Sequence, residues 1–256
     1  MRLAYDVSGE GEPLVLVHGW SGTRSAWAFQ VPVLAERHRV VAVDLRGHGD
    51  SDKPPGDDEY SIARCADDLD RLLAELRLER AIVMGQSMGT LVAQQLCLDH
   101  PGRVTALVLA GALADSPPAG RIVGPWVEHI VAEIQAKGFE ASLREVVPFW
   151  FSPGFDPERV RAFVAESLKT APHAAVAFCR ALSGTNLRDR LTEIRVPTLL
   201  IVGERDGRTP VAESELMNRL IPDAWLKVVK GAGHMANVEK PEEWNRAVLA
   251  FLGAVR

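Results

Sequence analysis

The feature that most narrows the fold of this chain is an alternation. Short, almost unbroken apolar runs recur along it, and helical patterns fill the intervals. The runs are Pro13–Val17, Val40–Leu45, Ala81–Gly85, Val104–Ala110 and Thr198–Gly203, with Ala224–Val229 as a further strand and Leu3–Val7 as an added edge hairpin. A strand buried on one face alternates apolar with polar residues, whereas one buried on both faces stays apolar throughout. The runs therefore predict a parallel sheet covered on both sides. Helices to cover it read at Ser61–Leu76, Met88–Asp99, Val211–Leu220 and Pro241–Val255. In the first, Ser61 has the chemistry of an N-cap, and Ile62, Leu69, Leu72, Leu73 and Leu76 share one face. The last begins on proline, which suits a first helical position. Strand–helix alternation of this kind gives an α/β fold whose ligand site lies at the carboxyl ends of the strands.

One stretch breaks the pattern. From Asp115 to Leu191 no strand is readable, and Ile122–Lys137 and Pro157–Thr170 read as helices separated by prolines. This stretch carries Phe139, Phe149, Phe151, Phe155, Phe163 and Phe178, six of the chain's eight phenylalanines. The expected organisation is a core domain of residues 1–114 and 192–256, with a helical cap of residues 115–191 inserted between two strands.

Composition removes several classes of function. At 256 residues and 47% hydrophobic, the chain can build a core without a disulfide or metal staple. The net charge of −5 lacks the basic excess of a nucleic-acid binder. Cys65, Cys97 and Cys179 show neither disulfide nor zinc spacing, which suits a reducing compartment. No apolar run has the length of a membrane span and the first residues lack the pattern of a signal peptide. The expectation is a cytoplasmic protein acting on a small molecule, as a monomer or homodimer, with no nucleic-acid or membrane partner.

The residues that carry chemistry begin at Gly85-Gln86-Ser87-Met88-Gly89, which joins a strand to a helix. A turn this tight forces the serine toward an unfavourable backbone and lifts its hydroxyl above the sheet edge. Glycines two before and two after remove side chains that would collide. A serine hydroxyl attacks only when a base takes its proton. His234, in the loop after Ala224–Val229, is in the right place. The base needs an acid to fix its tautomer. Asp206, after Thr198–Gly203, fits best, with Glu204 and Asp115 as rivals. The chain order Ser87, Asp206, His234 is the order this motif demands. Two N–H donors must hold the oxyanion, and the backbone amides of Met88 and Trp20 are placed for it. His18, His48 and Arg46 read as loop-holding residues. The three histidines 18, 48 and 234 have no metal-ligand spacing, and no phosphate or dinucleotide motif is complete. No metal or other cofactor is expected.

With these residues the chain resembles the α/β-hydrolase superfamily over essentially its whole length: His18-Gly19, Asp44–Ser51, the elbow at Ser87, Pro197–Gly203 leading to Asp206, and Gly233-His234. Within it the resemblance is to small capped serine esterases, enol-lactonases and carbon–carbon bond hydrolases. That implies a mostly parallel sheet of about eight strands, the first antiparallel, and hydrolysis of a small, largely apolar carboxylic ester or lactone through an acyl-enzyme. Many relatives have glycine where Thr90 stands and histidine where Gln86 stands. A serine nucleophile disfavours a haloalkane dehalogenase. Cofactor-free perhydrolase activity, or a non-catalytic small-molecule receptor, are the other readings that such a chain allows. Trp126, Phe149, Trp150 and Phe151 are expected to wall the substrate pocket.

Overall fold

The computed structural model describes residues 1–114 and 123–255, with the backbone alone for residues 123–126. Seven strands form one sheet in the order β1-β3-β2-β4-β5-β6-β7. They are β1 Tyr5–Ser8, β2 Glu12–Val17, β3 His38–Val43, β4 Ala81–Gln86, β5 Val104–Ala110, β6 Thr198–Gly203 and β7 Ala224–Val229. All neighbours run parallel except β1, which lies antiparallel to β3. The sheet therefore has seven strands among the described residues rather than about eight. The N-terminal strand is also no hairpin with β2. The link after β1 packs on the start of β3, where a Cβ on Gly9 would meet the carbonyl oxygens of Ala35 and His38 at 2.3 and 2.5 Å. That contact leaves β3 between β1 and β2.

The apolar runs do what both-face burial requires. On one face Val15, Val17, Val41, Val43, Val83, Leu107 and Leu109 enter one core cluster. On the other, Leu14, Leu16, Val40, Ala42, Ile82, Met84 and Val108 enter a second with Trp27 and Trp244. Helices α1 (Ile62–Glu75) and α2 (Met88–Asp99) follow β3 and β4. Ser61 caps α1, its hydroxyl accepting from the Arg64 N–H at 3.1 Å. Helix α2 is buried nearly all round, so its apolar residues are not confined to one stripe.

Between β5 and β6 the described residues form helices and no strand: α3 Val123–Lys137, α4 Phe139–Val146, α5 Pro157–Ser167 and α6 Pro172–Gly184. They are tied to the rest by backbone as well as side chains. The Ala171 N–H donates to Gly47 O at 2.9 Å and the Met235 N–H to Trp150 O at 3.2 Å. Helices α7 (Val211–Leu220) and α8 (Pro241–Ala254, proline at its start) complete the layers.

The topology fixes where a site can form. The chain leaves β2 toward β3 on one side and leaves β4 toward β5 on the other, while β2 and β4 are neighbours. Their connections diverge and open a crevice at their carboxyl ends. Val17 pairs with Gly85, so the loop starting at His18 emerges beside Gln86 and Ser87.

Candidate active site

Ser87 sits at the tip of the turn from β4 to α2 with φ 52° and ψ −120°. Such a backbone costs a non-glycine residue on the order of 1–3 kcal/mol. Hydrogen bonds around the turn offset it, at about 0.5–1.5 kcal/mol each. The Ser87 N–H donates to Ala110 O at 2.9 Å, and Ser87 O accepts from the Thr90 N–H at 2.8 Å and the Thr90 hydroxyl at 2.6 Å. The Thr90 oxygen in turn accepts from the Leu113 N–H at 3.2 Å. The residue that replaces a common glycine thus braces the turn against the loop after β5. Both flanking glycines are required by contact. A Cβ on Gly85 would lie 2.2 Å from Gly89 O, and one on Gly89 would lie 2.4 Å from Val17 O.

His234 follows β7 and Asp206 follows β6, strands joined in register from Thr198↔Ala224 to Gly203↔Val229. His234 Nδ1 lies 2.8 Å from Asp206 Oδ2. The carboxylate accepts, so Nδ1 carries the proton and Nε2 is left with its lone pair. Three further donors surround Asp206: the Thr209 hydroxyl at 2.6 Å on Oδ2, and the Arg208 and Thr209 N–H groups at 2.8 and 2.9 Å on Oδ1. Burial alone would raise the Asp206 carboxyl, but His234 and the Thr209 bonds outweigh it and hold the group below the usual carboxylate range. Asp206 therefore stays ionised at neutral pH. Of its rivals, Glu204 accepts from the Gly231 N–H at 2.9 Å and Asp115 lies outside the described residues.

Ser87, His234, Trp20 and Gln86 line one cavity with Leu113, Trp150 and others. The free space inside it amounts to about 40 Å³. Ser87 and His234 face this space without a hydrogen bond to each other, the looser geometry that nucleophile and base often show until a reacting atom tightens it. Met88 follows Ser87 at the head of α2, and Trp20 enters from the facing loop. The Trp20 indole N–H donates to Ala175 O at 2.9 Å, and its ring lies edge-on to Trp150 at 6.0 Å.

The loop bearing Trp20 is held by two buried histidines. His18 donates from Nδ1 to Gly19 O at 2.7 Å and accepts at Nε2 from the Leu45 N–H at 3.0 Å. His48 donates from Nδ1 to Arg46 O at 2.9 Å and accepts at Nε2 from the Ser21 N–H at 3.2 Å. Arg46 ties the same region to α1 through Asp68 at 2.7 and 2.9 Å. Burial, above all, lowers the proton affinity of both rings, and His18 lowers His48 further. Each ring must shed a proton to fold, so this contribution to stability is complete above about pH 6.5, the ordinary value. It is lost as pH falls below that. The unfolding free energy is therefore expected to fall between pH 7.5 and 5.5 by up to about 1.4 kcal/mol per pH unit for each ring, and the melting temperature with it. Thermal melts across this range check it, and a flat profile contradicts it.

The aromatic residues divide. Trp150 lines the cavity, and its ring lies edge-on to His234 at 6.5 Å. Phe149 is 80% exposed and points to solvent, contrary to the expectation that it walls the pocket. The cause is the 3₁₀ turn Val147–Trp150, where residues three apart share a face. Val147 and Trp150 take the inner face and Phe149 is left outside. Phe151 is buried, stacked on Phe155 at 4.9 Å, and is not among the residues that line the cavity. The Trp126 side chain lies outside the described residues.

Sequence reasoning missed Thr209, Arg208 and Glu239. Glu239 accepts from the Gly233 and Ser152 N–H groups, each at 2.9 Å, and so links the His234 loop to the segment after Trp150. For Thr209 a signal was present, since Asp-x-x-Thr is a side-chain-capped turn pattern. For Glu239 there was none. The cysteines are buried without disulfides. Burial pushes the Cys97 thiol up to about 11, so it is no competing nucleophile at neutral pH.

A hydroxyl on a strained turn, an imidazole oriented by a buried carboxylate, and a shared cavity form the arrangement used for acyl transfer. A family model described as alpha/beta hydrolase fold matches residues 12–241. The chain belongs to the alpha/beta hydrolase family. Among relatives of this alpha/beta hydrolase is a pimeloyl-acyl-carrier-protein methyl ester esterase of Aeromonas hydrophila, 30% identical over 99% of this chain and 100% of that one. The 3-oxoadipate enol-lactonase 2 of Acinetobacter baylyi is 29% identical over 98% of this chain and 93% of that one. A hydrolase from Pseudomonas aeruginosa superposes with a TM-score of 0.89 at 35% identity, covering 98% of this chain and 94% of that one. The alpha/beta hydrolase is thus an enzyme of the esterase and enol-lactonase type. No helix among the described residues is long and apolar enough to cross a membrane.

Proposed function

We propose that this enzyme hydrolyses carboxylic esters of small, largely apolar substrates through an acyl-enzyme. The observation that carries the reading is the His234–Asp206 pair, 2.8 Å apart, opening on the same cavity as a serine held at φ 52°. Ser87 attacks the carbonyl carbon while His234 Nε2 takes its proton. The Trp20 and Met88 amides receive the oxyanion. His234 then gives the proton to the leaving alcohol. In the second half it activates water, which releases the acid and restores Ser87. Asp206 stays ionised and steadies the imidazolium. The helices between β5 and β6 act as the cap that supplies the apolar wall, through Trp150, Phe163 and Leu182.

The relative named an enol-lactonase supports a second reading, ring opening of a lactone on the same residues. A panel of nitrophenyl esters with acyl chains of two to ten carbons, assayed beside enol- and γ-lactones, separates the two. The expected result is highest kcat/KM on short acyl esters, falling as the chain outgrows the cavity. Turnover of lactones alone overturns the ester reading.

A further inference from the structure

Gln86 lines the cavity and has no part in the acyl-transfer mechanism. It ends β4, directly before the nucleophile, and is 4% exposed. Its Nε2 donates to the Met235 sulfur at 3.6 Å. A thioether accepts and does not donate, so this contact fixes the amide, with NH₂ toward Met235 and Oε1 on the other side. Gly19 locates that oxygen. A Cβ at residue 19 would stand 2.4 Å from Gln86 Oε1 and 3.0 Å from Ser87 Cβ. The amide oxygen therefore lies beside the nucleophile, and Gly19 and Ser87 belong to the same cavity wall. Among the described residues no N–H or O–H donates to it, although buried amide oxygens ordinarily have a donor. The Trp150 indole nitrogen is sealed in the wall without a partner, whereas Gln86 Oε1 keeps an open side.

The other polar groups of the wall are taken. The Trp20 indole donates to Ala175 O, the Thr209 hydroxyl donates to Asp206, and the Arg208 guanidinium is attracted by Asp206. Ser87 and His234 perform the chemistry. About 40 Å³ of free space has room for about three waters, so a substrate that fills it strips water from Oε1. A hydrocarbon group at that place leaves the acceptor unpaired, at a loss of about tenfold or more in binding. A hydroxyl or N–H at the same place avoids the loss. We infer that Gln86 Oε1 accepts a hydrogen bond from an O–H or N–H donor that the substrate carries one or two atoms from its ester group. The inference rests on the ester reading and narrows its substrate class, from largely apolar esters to those with one donor beside the ester. Gln86 is then a specificity-determining residue.

The test uses pairs in which a methyl group replaces the hydroxyl. Methyl lactate against methyl isobutyrate places the donor in the acyl part. 2-Hydroxyethyl acetate against propyl acetate places it in the alcohol part. Each ratio of kcat/KM is divided by the ratio of hydroxide-catalysed rates for the same pair, which removes intrinsic reactivity. The wild-type enzyme is expected to prefer the hydroxyl member of one pair by at least tenfold, and that pair tells which part carries the donor. Gln86→Met matches glutamine in length and should abolish the preference, chiefly by slowing the hydroxyl member. Gln86→Ala serves in its place if a thermal melt shows Gln86→Met unfolded. No preference in either pair overturns the inference. So does a preference that survives the substitution, or equal loss on both members, which is what mere support of the turn would give. A wild type that hydrolyses neither pair nor nitrophenyl acetate fails the ester reading itself. Titration of lactamide and isobutyramide then decides on Gln86 alone. Lactamide bound at least threefold more tightly, with the difference lost on substitution, upholds the acceptor, and equal or absent binding overturns it.

Discussion

Ser87→Ala is expected to abolish ester turnover, on the order of a million-fold in kcat, with the fold intact. Removing the nucleophile of a hydroxyl–imidazole–carboxylate set costs about this much, because the remaining groups have nothing to activate. The fold survives for a reason specific to this turn. What holds it is backbone and Thr90: the Ser87 N–H on Ala110 O, and Ser87 O receiving two donors from Thr90. None of these bonds uses the Ser87 side chain. Alanine meets the same positive-φ penalty as serine, so the melting temperature should move by no more than a few degrees. Assay of nitrophenyl acetate, with a thermal melt of the same sample, checks both halves. Turnover within tenfold of wild type from a folded variant would remove Ser87 from the mechanism.

The second large effect belongs to Asp206→Asn, expected to lower kcat about 10⁴-fold with little change in KM. The partners of the carboxylate explain why a near-isosteric change should be so damaging. Oδ1 accepts two backbone N–H groups, which an asparagine oxygen can keep. The amide NH₂ must then take the Oδ2 position, facing His234 Nδ1 and the Thr209 hydroxyl. It donates where the carboxylate accepted. The imidazole is pushed to the other tautomer, its proton on Nε2, and cannot take one from Ser87. Thr209→Val tests only the hydroxyl and should be far milder. Steady-state kinetics at pH 8 separates the cases, and an Asp206→Asn loss under tenfold contradicts the role given to Asp206.

Much of this was legible in the sequence because its signals are local. A strand buried on both faces betrays itself in four or five consecutive residues, and β2 to β6 were readable that way, whereas β7 is a half-exposed edge strand. The turn at Ser87 needs glycine at 85 and 89 for contacts measured within the turn and its neighbouring strand, so spacing alone exposed it. Asp206 and His234 were legible because each follows a readable strand. What stayed hidden depends on contacts between distant segments or on small rotations. The inner face of the turn Val147–Trp150 is set by three-residue periodicity, which apolar character cannot report when Phe149 and Trp150 are both aromatic. Glu239 reaches Ser152 across 87 positions. The placement of β1 beside β3 follows from how the Gly9 link packs, not from any pattern in Leu3–Val7.

The central claim is that Ser87 becomes a strong attacker when His234 accepts its proton inside this cavity. It is read most directly by treating the folded enzyme with a fluorophosphonate and locating the adduct by peptide mass mapping. One phosphonyl group on Ser87, formed by the wild type and absent from Ser87→Ala and His234→Ala, is the result expected. A label on any other residue, or equal labelling of Ser87 after His234 is replaced, would contradict it.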